Sequence, residues 1–139
     1  MVWKLLDYRR RSHCILRHKL HHNQGNQNTR TRMKTHVKLY HSAFGYKPGE
    51  FISCEVCGAP SESTHHIQRR GMGGTKKPDR IENLMALCTK HHLQYGDLKQ
   101  WKAWLYKVHR IVLQESGVQF DEQWMQDQIT RWEGYAENS

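Results

Sequence analysis

Between residues 101 and 112 the apolar side chains of Trp101, Trp104, Leu105, Val108, Ile111 and Val112 return every three or four positions. That period predicts one amphipathic helix, stopped by Gly117. A weaker stripe of Trp124, Met125, Ile129 and Trp132 predicts a second helix from about Phe120 to Trp132, with an acidic, frayed end. The tryptophans in these stripes are expected to pack in a core rather than stack on bases. Upstream the pattern shortens. FISCEVCG and STHHIQ read as short strands around a turn at Gly58 and Pro60, followed by the loop RRGMGGTKKPD and a helix over IENLMALCTKHHLQYG. The predicted order from about Phe51 to Tyr95 is therefore strand, strand, helix. Residues 30–41 predict a helix that ends before Gly45 and Pro48. Residues 23–29 (NQGNQNT) predict a polar linker, and residues 1–22 a basic helix with few apolar contacts.

These elements describe an α+β chain. A length of 139 residues allows one modest domain, or a small one with extensions. We divide it into a basic arm (1–47), a compact core (48–97) and a helical extension (98–139). Charge sharpens that division. Residues 1–47 carry 11 Lys or Arg against the single acid Asp7, while residues 48–139 carry 11 against 12, so the whole +9 excess lies in the arm. Such an arm, with Arg9, Arg10, Arg11, Arg30 and Arg32, is suited to phosphate binding, because neutralised phosphates release counterions; its bland alternative is a solvated tail. No apolar run approaches the roughly 20 residues of a membrane span. The start, MVWKLLDYRRR, lacks the apolar segment of a secretory signal, so a cytoplasmic protein without membrane partners is expected.

Four cysteines are few for a disulfide-rich secreted fold. Cys14 stands alone in the arm and is expected to be an unpaired thiol. Cys54-x-x-Cys57 and Cys88-x-x-His91 instead have the spacing of a tetrahedral zinc site, two ligands from a turn and two from a helical turn. Thirty residues separate the two pairs, more than a simple zinc ribbon needs, so something else fits between them. What lies there includes a second histidine pair, His65–His66. Successive helical residues diverge by about 100°, so if His91 turns to zinc, His92 faces elsewhere. His92 can then meet His65 across a second cation, leaving His66 as an unligated imidazole suited to deprotonating water. On an ideal strand His65 and His66 would face opposite ways, so both can serve one phosphate only if the strand ends or twists there. Arg69 and Arg70 follow closely and can clamp a neighbouring phosphate or simply form a solvated loop pair.

Taken together, Cys54-x-x-Cys57, His65-His66-Ile67, a Gly-rich loop and Asn83-Leu84-x-x-Leu87-Cys88-x-x-His91-His92 resemble the zinc-stapled branch of the HNH endonucleases over about residues 52–95. The resemblance implies a small ββα-metal core held by structural Zn²⁺, flanked by N- and C-terminal helices. It implies that His65 and His92 ligate the catalytic divalent cation, that His66 is the general base, and that Asn83 ties hairpin and helix together. It also implies a metal-dependent DNA endonuclease leaving 5′-phosphate and 3′-hydroxyl ends. Mg²⁺ or Mn²⁺ is the expected catalytic ion, with Ni²⁺ or Zn²⁺ compatible with two histidines. The family's second Cys pair appears here as Cys88 and His91. A stand-alone protein of this kind fits a monomer or homodimer encoded by a phage or mobile element in a bacterial host cell, with packaging or recombination proteins as candidate partners. Two other readings stand beside this one. A non-catalytic zinc module for nucleic acid or protein would need none of His65, His66 and His92. A thiol–disulfide oxidoreductase built on Cys54 and Cys57 would need a βαβ context that the pattern lacks.

Overall fold

Leu84, Met85, Ala86 and Leu87 form four consecutive buried positions at the centre of the fold. In the computed structural model, which describes residues 33–71 and 78–138, they make a strand and not a helix. Strand β1 (Ser63–His66) pairs antiparallel with this strand, β2 (Leu84–Leu87), placing Ser63 opposite Leu87 and His66 opposite Leu84. Met85 and Leu87 face one apolar cluster, with Ile67, Leu105, Leu113 and Met125, while Leu84 and Ala86 face another with Tyr40. A strand buried on both faces loses its polar alternation and reads as a continuous apolar run, so the helix expected over residues 81–96 is corrected here. Its first part is a 3-10 turn (Ile81–Asn83) followed by β2.

The strand expected over FISCEVCG is corrected as well. It is a turn, closed by Gly58 N–H to Cys54 O at 2.8 Å and Cys54 N–H to Ala59 O at 2.7 Å, with one isolated bridge between Ser53 and Pro60. The reason lies in the cysteines: three positions apart on a strand they would face opposite sides, whereas a turn brings both to one point. Gly58 makes the turn possible by adopting φ of +77°.

Helix α1 (Thr35–Phe44) ends at Gly45, in the left-handed conformation, and sets Tyr40 and Phe44 against Leu84 and Ala86. After β2 comes a short helix, α2 (Thr89–His91), which widens into a π-helical turn (His92–Gly96). A 3-10 turn (Lys99–Trp101) then leads into α3 (Lys102–Glu115). The last helix, α4 (Glu122–Glu137), starts at Asp121, whose carboxylate accepts the Trp124 N–H at 2.9 Å. The frayed end expected after Trp132 is not found. The helix continues to Glu137, Lys107 pairs with Glu133, and Asn138 Nδ2 donates to Gly134 O at 2.7 Å. Trp104, Trp124 and Trp132 pack against the main cluster, as the stripes predict. No described helix is long and apolar enough to cross a membrane. The basic helix and linker expected over residues 1–29, Cys14, Arg9, Arg10, Arg11, Arg30, Arg32, Gly73 and Gly74 lie outside the described residues.

One buried polar network joins the cysteine turn to α3 and β2. Glu55 accepts the Tyr40 hydroxyl at 2.7 Å and the Ala86 N–H at 3.1 Å on Oε1, and His109 Nδ1 at 2.7 Å on Oε2. The other ring nitrogen of His109 donates to Ile81 O at 2.6 Å. A carboxylate and a carbonyl only accept, so both nitrogens carry hydrogen and His109 is an imidazolium. Burial acts to lower its pKa, but Glu55 prevails and holds it above the ordinary 6.5. With the folded value raised, this contribution to stability is complete below about pH 6.5 and is lost as pH rises through the folded pKa. The melting temperature is therefore expected to decline through that window, and His109→Gln to flatten the decline in thermal scans across pH.

Candidate active site and metal centres

The cysteine turn and the start of α2 converge on one point. Cys88 Sγ and Cys54 Sγ lie 3.3 Å and 3.6 Å from His91 Nδ1, and Cys57 Sγ lies 3.9 Å from Cys88 Sγ. A tetrahedron with metal–sulfur bonds of about 2.3 Å and metal–nitrogen bonds of about 2.0 Å has edges of roughly 3.5–3.8 Å. These four residues therefore fit a zinc ion, with all ligand atoms within 4.8 Å of one another. Burial pushes the Cys54 thiol up to about 12, so a cation's charge is what would make it a thiolate ligand. His91 also stacks on Tyr95, with ring centroids 5.7 Å apart.

One residue further along, His92 turns to the other side. Its ring meets His65 edge-on at 4.7 Å between centroids, and Asp97 completes a second group whose ligand atoms lie within 4.8 Å of one another. His65 Nε2 donates to Gly96 O at 2.9 Å, which leaves Nδ1 as the nitrogen with a free lone pair. Burial, aided by the nearby His92 charge, lowers the His65 pKa to about 4, so its ring is neutral and ready to ligate. A carbonyl holding the far N–H is the usual support for a metal-bound histidine. The pair fits a divalent cation.

Gly96 makes the approach possible. A Cβ there would lie 2.9 Å from His92 Cδ2, closer than packed carbons allow, and 3.2 Å from His65 Cε1, a tight contact. Gly96→Ala is expected to spread the two rings and weaken Mn²⁺ binding by about tenfold or more, with zinc content unchanged. Calorimetric titration of the zinc-loaded chain with Mn²⁺ measures this.

His66 is the last residue of β1, and the strand's end resolves the alternation problem. His65 turns towards His92 and Gly96, while His66 reaches Asp79, its Nε2 2.8 Å from Oδ1. Yet both line one open groove of about 430 Å³, together with Thr64, Arg69, Arg70, His92 and Asp97. Arg69 and Arg70 stand on the rim in ion pairs, Arg69 with Asp97 and Arg70 with Asp79. The Arg69 fork draws the Asp97 carboxyl below its ordinary pKa.

Asn83 is fully enclosed and uses every hydrogen-bonding position. Oδ1 accepts Gln68 N–H and the Tyr106 hydroxyl, both at 2.8 Å, and Nδ2 donates to Gln68 O and Pro78 O at 3.0 Å. It thereby ties the end of β1 to the return loop and to α3. Sequence reasoning missed Asp79, Asp97, Gly96, Tyr106 and His36, whose ring lies 4.7 Å from that of His66. Asp97 carried a weak signal, a carboxylate directly after the glycine that ends the histidine turn. The others had none, because long-range folding brings them in.

A two-stranded antiparallel hairpin, a short helix, a Cys₃His group and an adjoining two-histidine group define a ββα-metal unit. Residues 54–98 match the family model of the HNH endonucleases, a family of metal-dependent nucleases. The matched segment holds both ligand groups, His66, Asp79 and Asn83, whereas α1, α3 and α4 lie outside it. No curated protein and no solved structure matches the chain.

Proposed function

We propose that the chain is a metal-dependent DNA endonuclease. The observation that carries this reading is the placing of His66 beside the His65–His92 pair on one groove whose rim bears two arginines. His65 and His92 would hold the catalytic Mg²⁺ or Mn²⁺, beside an Asp97 engaged by Arg69, and Cys54, Cys57, Cys88 and His91 would hold the structural Zn²⁺. A divalent cation there supplies charge that stabilises a phosphoryl oxygen and the departing oxygen. His66 takes a proton from water as the water oxygen bonds to phosphorus. The bond from phosphorus to the 3′-oxygen breaks, and that oxygen leaves with the electron pair and is protonated by solvent. The products carry 5′-phosphate and 3′-hydroxyl ends. Asn83 keeps the strand end and loop around the base in register. Arg69 and Arg70 offer N–H donors to flanking phosphates.

The basic stretch of residues 1–47, with Arg9, Arg10, Arg11, Arg30 and Arg32, would gather DNA in a salt-dependent way. Residues 48–97 would do the chemistry and residues 98–139 brace it. The test is incubation of a labelled duplex with zinc-loaded chain in Mg²⁺ or Mn²⁺. Fragments are expected whose 3′ ends accept nucleotides from terminal transferase and whose 5′ ends take kinase label only after phosphatase treatment. Fragments with 3′-phosphates would contradict the mechanism.

A further inference from the structure

The contact between His66 and Asp79 fixes where a proton sits. An ionised carboxylate only accepts hydrogen bonds, so the 2.8 Å approach of Nε2 to Oδ1 places the hydrogen on Nε2 and leaves Nδ1 as the basic nitrogen. Asp79 is held for this contact from several sides. Arg70 reaches it through Nε at 3.0 Å and through Nη2 at 2.6 Å to Oδ1, with a further contact to Oδ2. Against the effect of burial, the Arg70 and His66 hydrogen bonds keep the carboxyl below its ordinary pKa. The preceding residue, Pro78, is anchored by Asn83 Nδ2 at 3.0 Å. His36, on α1 and outside the segment that matches the family, covers the His66 ring and lies 3.4 Å from Arg70 Nη2.

His36, His66 and Asp79 have the donor atoms of a metal site. The Arg70 guanidinium is already bonded to Asp79 and beside His36, so a positive charge stands where a cation would need to be. The cluster is better suited to steering an imidazole. We infer that Asp79 is a positioning residue for His66, fixing its Nε2–H tautomer and steadying the imidazolium formed when Nδ1 takes the water proton. The inference rests on reading His66 as the base. During the step Nε2 keeps its hydrogen and Asp79 stays ionised; the only proton that moves is the one from water to Nδ1. Arg70 and the Pro78 anchor keep the carboxylate from turning away.

The test uses the zinc-loaded full chain labelled with ¹⁵N-histidine. Two-bond ¹H–¹⁵N correlations at mildly alkaline pH read the tautomer of His66 without turnover. The wild-type ring is expected to carry its proton on Nε2, and Asp79→Ala to give a mixture of tautomers. The same variant is expected to lower kcat by about 10–100-fold, with KM for DNA, Mn²⁺ affinity and zinc content unchanged. Asp79→Asn, which keeps one acceptor oxygen, is expected to fall between the two. A wild-type His66 protonated on Nδ1 would overturn the inference whatever the activity, and would do so even if the variants failed to fold. An Asp79→Ala chain with unaltered tautomer and kcat would also overturn it. Absence of DNA cleavage with an Nε2–H ring would instead overturn the nuclease reading on which it rests.

Discussion

Replacing His66 with alanine is expected to reduce DNA cleavage by about 10²–10⁴-fold, the contribution typical of a positioned general base. The residue ends β1, is only partly buried and has no place among the apolar clusters, so its loss should leave the hairpin standing. It also belongs to neither ligand group around His65 or Cys54, so zinc content and Mn²⁺ affinity should hold. Single-turnover rates on a duplex, set beside calorimetric metal binding, separate these quantities. His65→Ala should behave differently, losing Mn²⁺ affinity together with rate. A His66→Ala chain of full activity would remove this residue as the base.

Withholding zinc from the Cys54, Cys57, Cys88 and His91 group is expected to unfold the ββα unit. A two-stranded sheet with four residues in each strand cannot sustain itself, and small units of this kind depend on a staple. Apparent zinc-binding energies of about 10–16 kcal/mol in small metal-stapled folds match or exceed the roughly 5–15 kcal/mol stability of a whole domain. The damage should spread. Cys54, Ile67, Met85 and Leu87 share one cluster with Leu105, Leu113, Met125 and Ile129, so α3 and α4 lose their packing surface when the hairpin goes. A strong chelator, or Cys88→Ala, should therefore lower the melting temperature by more than about 10 °C in circular dichroism. A melting curve unmoved by zinc removal would show that the apolar clusters suffice.

The clustering of Cys54, Cys57, Cys88 and His91 was legible in the sequence because metal chemistry constrains both residue type and spacing. Cys-x-x-Cys and Cys-x-x-His can meet at one ion, and the divergence of neighbouring helical residues parts His91 from His92. The stripe from Trp104 to Val112 was legible for a similar reason, since one buried face leaves a period. Leu84–Leu87 was not, because burial of both faces erases the period that separates strand from helix. The cysteine turn was mistaken for a strand because local propensity does not register two side chains meeting at one point. Asp79 was invisible as a partner of His66, and Asp97 left only a weak signal of its place beside His65 and His92. Each acquires its meaning from a contact across 13 or more residues, Asp79 to His66 and Asp97 to Arg69. Tyr106 is a further case, an aromatic of α3 outside the predicted stripe whose hydroxyl completes Asn83.

Metal-dependent nuclease activity is tested most plainly by the conversion of supercoiled plasmid by zinc-loaded chain in Mg²⁺, in Mn²⁺ and in a chelator that spares the zinc of the cysteine group, alongside the His65→Ala/His92→Ala double variant. On the nuclease reading, wild type is expected to nick or linearise the plasmid with either metal and not in the chelator, and the double variant to do neither despite full zinc content. No conversion under either metal by folded, DNA-binding wild type, or equal conversion by the double variant, would contradict it.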